Sequence, residues 1–199
     1  MSASLVGSEM CIRDSINYVD TGDSSYNAYS ALINGIAVCS GYTECFKTLL
    51  DMLGIENATI SGEAGGQQHI WNVVNLDNHW YHVDVTWDDP VGSSSDYIDH
   101  SYFNISADDM ALDHTWDRSR YSAYEKCGAK YSYCRYKKLP LISNVNQLNK
   151  LIYSTVKNKT AHIEFTTTYN ADLKEAISRT GQQLSYSYKN IDRVNYTLY

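Results

Sequence analysis

No run in this chain approaches the roughly 18 consecutive apolar residues that a membrane-spanning helix needs. No charged start leads into an apolar stretch and a small-residue cleavage site. No cluster of Lys and Arg stands out, and 16 basic against 23 acidic residues leave a formal net charge of -7. A chain of that sign offers no surface suited to phosphate backbones, so nucleic acid is not an expected partner. No self-similarity at a solenoid period is present. Gly65-Gly66 is followed neither by a helix start nor by Lys-Ser/Thr, which argues against a phosphate-binding loop. The 5 cysteines are an odd number, so they cannot all pair; Cys127 and Cys134, separated by the polar "GAKYSY", are the pair best placed for a bridge, with two unpaired, half-buried thiols as the alternative. What is present is a 199-residue chain with 43% hydrophobic residues, enough for a sizeable core, and 18 tyrosines, which suit half-exposed strands.

The first fifteen residues, "MSASLVGSEMCIRDS", show no helical or strand period and no apolar face, and resemble the translation of sequencing-adaptor DNA. They are read as a leader, residues 1–15, outside the fold. On that reading Cys11 has no role and a native amino-terminal portion is missing. "YNAYSAL", Tyr26 to Leu32, predicts a short helix ended by Gly35. A second helix is expected from about Ser40 or Tyr42 to Leu53, capped by Ser40 or Thr43 and stopped by Gly54. Its apolar face holds Cys45, Phe46, Leu49, Leu50 and Leu53 at helical spacing. Cys39 lies outside that face, at or just before the helix's amino end.

"NATISG" reads as a strand, "EAGGQQ" as a glycine-rich loop, and "HIWNVVNL" and "HWYHVDVTW" as two strands joined by Asp77-Asn78. A two-residue turn fixes the register, because Leu76 then faces His79 and each outward pair has numbers summing to 155. His69, Trp71, Asp84 and Thr86 thereby share one face, with His69 and Asp84 diagonal neighbours about 7–8 Å apart at the backbone. "DDPVGSSSD" reads as a loop, "HSYFNIS" as extended chain and "ADDMALDHTW" as a loop or single helical turn. Beyond Lys137, "NVNQLNKLIYSTV" and "ADLKEAIS" predict helices, and "AHIEFTT", "QLSYSYK" and "VNYTLY" predict strands, together a small α/β unit over 137–199.

A cysteine at a helix amino end feels the positive pole of the helix dipole, which favours thiolate. An adjacent imidazole takes its proton, and a carboxylate beyond the imidazole fixes the tautomer. Cys39, His69 and Asp84 supply those three parts. Trp71 reads as a roof over the His–Asp pair, with Tyr42 and Trp87 as further residues that shield the site or meet substrate. Asp88 and Asp89, near His82 and Asp84, lack regular ligand spacing, and no metal is assigned.

The segments "GIAVCSGYTECFKTLLDMLGI", "GQQHIWNVV", "WYHVDVTWDDP" and "YFNISADDMALDH", in that order between Tyr26 and Trp116, resemble the transglutaminase-like domains of bacterial proteins, a branch of the papain-like cysteine enzyme fold. The resemblance implies an α+β domain over 16–136, with a catalytic helix packed on an antiparallel sheet. It implies Cys39 as nucleophile, His69 as base and Asp84 as orienting carboxylate. The activity implied is thiol-dependent acyl transfer or amide hydrolysis, of protease, amidase or transglutaminase type, on a peptide or cell-envelope substrate and without a cofactor. It also favours an extracellular or cell-surface location. The competing class is a non-catalytic binding or wall-association module that keeps the fold.

Overall fold

In the computed structural model, residues 3–22, 25–89, 100–158, 163–167, 186–188 and 194–198 are described. The chain divides into two compact units, residues 1–133 and 134–199. Helix α1 spans Ala3–Ser15. Strand β1 (Asn17–Tyr18) pairs in parallel with β2 (Ile36–Ala37), and between them runs a π-helical turn, Ser30–Asn34. Gly35 ends that turn at φ 65°, a left-handed conformation that glycine adopts without steric cost. Helix α2, Cys39–Met52, is followed by β3 (Asn57–Ala64), β4 (Gln67–Leu76) and β5 (His79–Val83). Strand β6 (Phe103–Ile105), helix α3 (Ala107–Met110) and β7 (His114–Thr115) complete the main sheet, whose order is β6-β5-β4-β3-β7 and whose pairings are all antiparallel.

The β4–β5 hairpin has the register expected from its two-residue turn, from Leu76↔His79 to Asn72↔Val83. Its turn residues Asp77 and Asn78 sit at φ 54° and 60°, the two left-handed positions of a type I′ turn, which short polar side chains tolerate. The ladder ends at Asn72↔Val83, and Asp84 instead donates its N–H to the carbonyl of Tyr102, 3.1 Å away. The loop expected over "EAGGQQ" contracts to the turn Gly65-Gly66, with Glu63 and Ala64 in β3 and Gln67 and Gln68 in β4. Both glycines have positive φ, so a second tight turn replaces a loop.

Helix α2 lies on this sheet through Tyr42, Cys45, Phe46 and Leu50, all fully buried. Two polar ties fix it to β4: Thr43 Oγ1 donates to the Ile70 carbonyl at 2.9 Å, and Asn72 Nδ2 donates to the Thr43 carbonyl at 3.1 Å. A separate apolar cluster gathers Ile60, Trp71, Val73, Tyr102, Ile105 and Met110, with Trp80, Trp87 and Trp116 packed against it. The helix starts at Cys39, one residue before Ser40 and three before Tyr42, the two expected starts, and no side chain caps it. Among the described residues Ser40 Oγ is buried without a hydrogen-bond partner, and Thr43 is committed to Ile70, so neither is the expected cap.

Residues 3–15 depart from the expectation of a segment without period. Leu5, Glu9, Ile12 and Ile16 are buried at spacings of four, three and four, which is one helical face. The pattern is hidden because Glu9 and Arg13 hold positions where apolar residues would mark it. Arg13 Nη1 lies 2.7 Å from Glu9 Oε1, and burial raises the Glu9 carboxyl to about 7 against the pull of Arg13. All five cysteines are thiols, so the Cys127–Cys134 bridge is absent.

A short 3₁₀ turn (Ser122–Tyr124) and helix α4 (Tyr133–Tyr136) lead to the second unit. It contains β8 (Leu141–Ile142), α5 (Val145–Lys157), β9 (Ile163–Thr167), β10 (Tyr186–Tyr188) and β11 (Val194–Leu198). Its sheet order is β10-β11-β9-β8, with β8 and β9 parallel. Ile142, Leu148, Ile152 and Phe165 are buried. The helix expected over "ADLKEAIS" lies outside the described residues, as does most of the "DDPVGSSSD" segment.

Candidate active site

Cys39 is the first residue of α2, where the amino-terminal N–H groups of a helix point outward unsatisfied and the dipole favours negative charge. His69 stands on β4, opposite Gly62 of β3. Cys39 lines the same cleft as His69 and raises the basicity of its ring, while His69 Nε2 lies 2.6 Å from Asp84 Oδ2. With Nε2 on the carboxylate, Nδ1 is the ring nitrogen left to face sulfur. Only 7% of the His69 side chain is exposed. Burial pushes the imidazole down, but its interactions with Asp84 and Cys39 outweigh it and raise His69 to about 9.

Asp84 is fully buried and collects donors on both oxygens. Oδ1 accepts the backbone N–H groups of Thr86 at 3.1 Å and Trp87 at 3.2 Å. Oδ2 faces His69 Nε2 at 2.6 Å and His114 Nε2 at 3.0 Å. Burial works to raise this carboxyl, yet the bonds from His114 and His69 hold it at about 2. It is therefore ionised and an acceptor only at neutral pH.

Of the three aromatic residues read from the sequence, Trp87 alone lines the cleft, and its ring lies 6.0 Å from that of His69. Trp71 is fully buried, stacks on His69 at 6.1 Å and donates Nε1–H to His82 Nδ1 at 3.0 Å. Tyr42 is also fully buried, its hydroxyl 2.6 Å from Asp89 Oδ2 and 3.1 Å from the Ile16 carbonyl. The cleft itself has a volume of about 390 Å³, and Cys39, His69, Gln67, Gln68, Tyr18 and Asp89 are among its lining residues.

His69, Asp84 and His114 bring three potential metal ligands within 4.8 Å of one another. Their contacts of 2.6 and 3.0 Å onto one carboxylate oxygen have the lengths of charge-assisted hydrogen bonds, and that oxygen is already shared by two N–H donors. Asp88 is committed elsewhere, with Oδ1 accepting the Tyr102 N–H at 2.8 Å. His114 carried no role in the sequence reading, although it ends the quoted "ALDH". It reaches Asp84 because β7 pairs with β3, Ala64↔His114, across a long stretch of chain.

No curated protein matches the chain. Two of the solved structures that overlap part of it are informative about extent. One is a protein from Cytophaga hutchinsonii described as a cysteine protease, at 17% identity and a TM-score of 0.38, covering 41% of this chain and 30% of that one. The other is a structure described as a TGase, at 17% identity and a TM-score of 0.40, covering 46% of this chain and 28% of that one. The chain thus spans less than a third of either protein. Residues 8–85, which contain Cys39, His69 and Asp84, match the model of the transglutaminase-like superfamily. That match covers less than half of the chain, and over those residues the chain is similar to the transglutaminase-like superfamily.

Proposed function

We propose that this chain carries a thiol-dependent acyl-transfer or amide-hydrolysis site, with Cys39 as nucleophile, His69 as general base and acid, and Asp84 as the orienting carboxylate. The observation that carries the reading is the His69–Asp84 pair beside Cys39: His69 Nε2 lies 2.6 Å from a buried, ionised Asp84, and Cys39 lines the same cleft at the first residue of α2. Transfer of the thiol proton to Nδ1 leaves a thiolate at the amino end of α2 beside an imidazolium that Asp84 stabilises. The sulfur attacks an amide or ester carbonyl, and the oxyanion forms near the outward N–H groups of the helix start. As the bond to the leaving group breaks, C–N in an amide or C–O in an ester, His69 returns the proton to the departing amine or alcohol and a thioester remains. Water then releases an acid and an amine releases a new amide, with His69 taking the proton of the attacking group and restoring the thiol. A peptide or cell-envelope amide is the substrate class that the family implies.

The test is the rate of iodoacetamide modification at Cys39 against pH, followed by peptide mass spectrometry, in the wild-type chain and in His69→Ala. Cys45, whose thiol burial pushes up to about 11, is an internal control in the same digest. Fast reaction persisting at about pH 6, well below the ordinary thiol value of about 8.5, and lost in His69→Ala, is expected. An ordinary thiol profile in a folded chain would refute the proposal and favour a non-catalytic binding module.

A further inference from the structure

We infer that His114 is a positioning residue of this thiol site, anchoring through its Nε2–H the Asp84 oxygen that orients His69. The inference rests on the acyl-transfer reading and extends it to a fourth side chain. Three observations carry it. First, His114 Nε2 is 3.0 Å from Asp84 Oδ2, the same oxygen that lies 2.6 Å from His69 Nε2. An ionised carboxylate only accepts, so both imidazoles present Nε2–H to it.

Second, the His114 ring is itself held on its far side. Nδ1 lies 2.6 Å from Asp113 Oδ1, and Asp113 Oδ2 accepts the Tyr102 hydroxyl at 2.8 Å. A line of contacts therefore runs Tyr102, Asp113, His114, Asp84, His69, and Cys39 lines the cleft beside His69. Third, the ring has no freedom to leave. It is 1% exposed, β7 pins its backbone against Ala64, and the rings of Trp87, Trp71, Tyr102 and His69 surround it at 4.7, 5.0, 5.4 and 5.6 Å.

A carboxylate with one imidazole on Oδ2 can turn about its own bond until that oxygen leaves the His69 ring plane. Two donors converging on Oδ2, with Thr86 and Trp87 N–H on Oδ1, remove that freedom. His114 also lowers the Asp84 carboxyl, keeping it charged where the site needs a charge. The titratable groups facing this pair are His69 from β4, His82 from β5, Asp113 beside β7 and the Tyr102 phenol, with Cys39 beyond His69.

The experiment compares Cys39 alkylation against pH in the intact wild-type chain, His114→Ala and His114→Gln, each checked for a cooperative thermal transition. The glutamine amide nitrogen can take the place of Nε2 and keep a donor on Asp84. His114→Ala is expected to slow alkylation at about pH 6 by about tenfold, the loss of one charge-assisted bond, and His114→Gln to restore most of it. A residue that merely fills space predicts no recovery by glutamine. A thiolate profile unchanged in His114→Ala, or equal slowing in both variants, overturns the role alone. An ordinary profile already in the wild-type chain overturns the acyl-transfer reading and the role with it. Should His114→Ala fail to fold, long-range ¹H–¹⁵N imidazole spectra of the wild-type chain decide. Nε2 of His114 protonated between about pH 5 and about pH 8 supports the anchor, and an unprotonated Nε2 overturns it.

Discussion

Replacing Asp84 by asparagine changes almost no volume but inverts one hydrogen-bonding end. Oδ1 accepts from the Thr86 and Trp87 N–H groups, so the amide oxygen of the introduced side chain must stay on that side. The amide nitrogen then points at His69 Nε2, a donor against a donor. His69 escapes only by moving its proton to Nδ1, the nitrogen facing Cys39, and in that tautomer it cannot accept the thiol proton. The size of the effect follows from the imidazole's elevation from 6.5 to about 9, about 3 kcal/mol at 1.36 kcal/mol per unit. Burial works against that elevation, and Asp84 heads the groups that overcome it. Losing about two units would reduce the thiolate–imidazolium population about a hundredfold. Iodoacetamide modification of Cys39 should slow by about that factor near pH 6 in Asp84→Asn, with the Cys45 control unchanged. A variant that keeps its thermal transition and alkylates at the wild-type rate would refute the orienting role of Asp84.

Three further outcomes test the packing around this site. Gly41→Ala should destabilise by about 1–3 kcal/mol in urea unfolding although alanine ordinarily favours a helix, because the added Cβ would meet Ala37 Cβ at 2.7 Å and the Ser25 carbonyl at 2.8 Å. A neutral or stabilising result would mean that the chain around Ser25 is not held against α2. Trp71→Phe removes the donor to His82 Nδ1 and should lower stability by about 1–3 kcal/mol, read as a fall in thermal midpoint, with the His69–Asp84 bond retained. His82 itself is held neutral, burial, His114 and Arg118 pushing it to about 3. A depressed folded value makes its contribution complete above the unfolded value of 6.5 and lost as pH falls toward about 3, at up to 1.36 kcal/mol per unit. The urea midpoint of the wild type should therefore fall over that window more steeply than that of His82→Gln, and parallel curves would contradict the assignment.

What could be read from the residues, and what could not, divides by how far apart in sequence the interacting groups lie. Asp77-Asn78 is a local signal: two short polar residues that tolerate positive φ fix a two-residue turn, and the turn fixes the register of its strands. Parity then put His69 and Asp84 on one face, and the side chains meet although the ladder stops one pair short of Asp84. The amphipathic face of α2 was legible for the same reason, since helical spacing is local. The helix's first residue was not, because Ser40 looks like a cap in sequence while its hydroxyl is buried without a partner among the described residues. The face of α1 was hidden by chemistry, a glutamate and an arginine neutralising each other where apolar residues would have marked the period. His114 was hidden by distance. Its pairing with Ala64 and its bond to Asp84 join segments far apart in the chain, and no local pattern in "ADDMALDHTW" announces either. Cys39, His69 and Asp84 are thus carried by elements with strong local signals, and Thr86 and Trp87 hold one oxygen of Asp84 from two and three residues away, whereas His114, which meets the other oxygen, comes from a distant segment that only the pairing of β7 with β3 brings in.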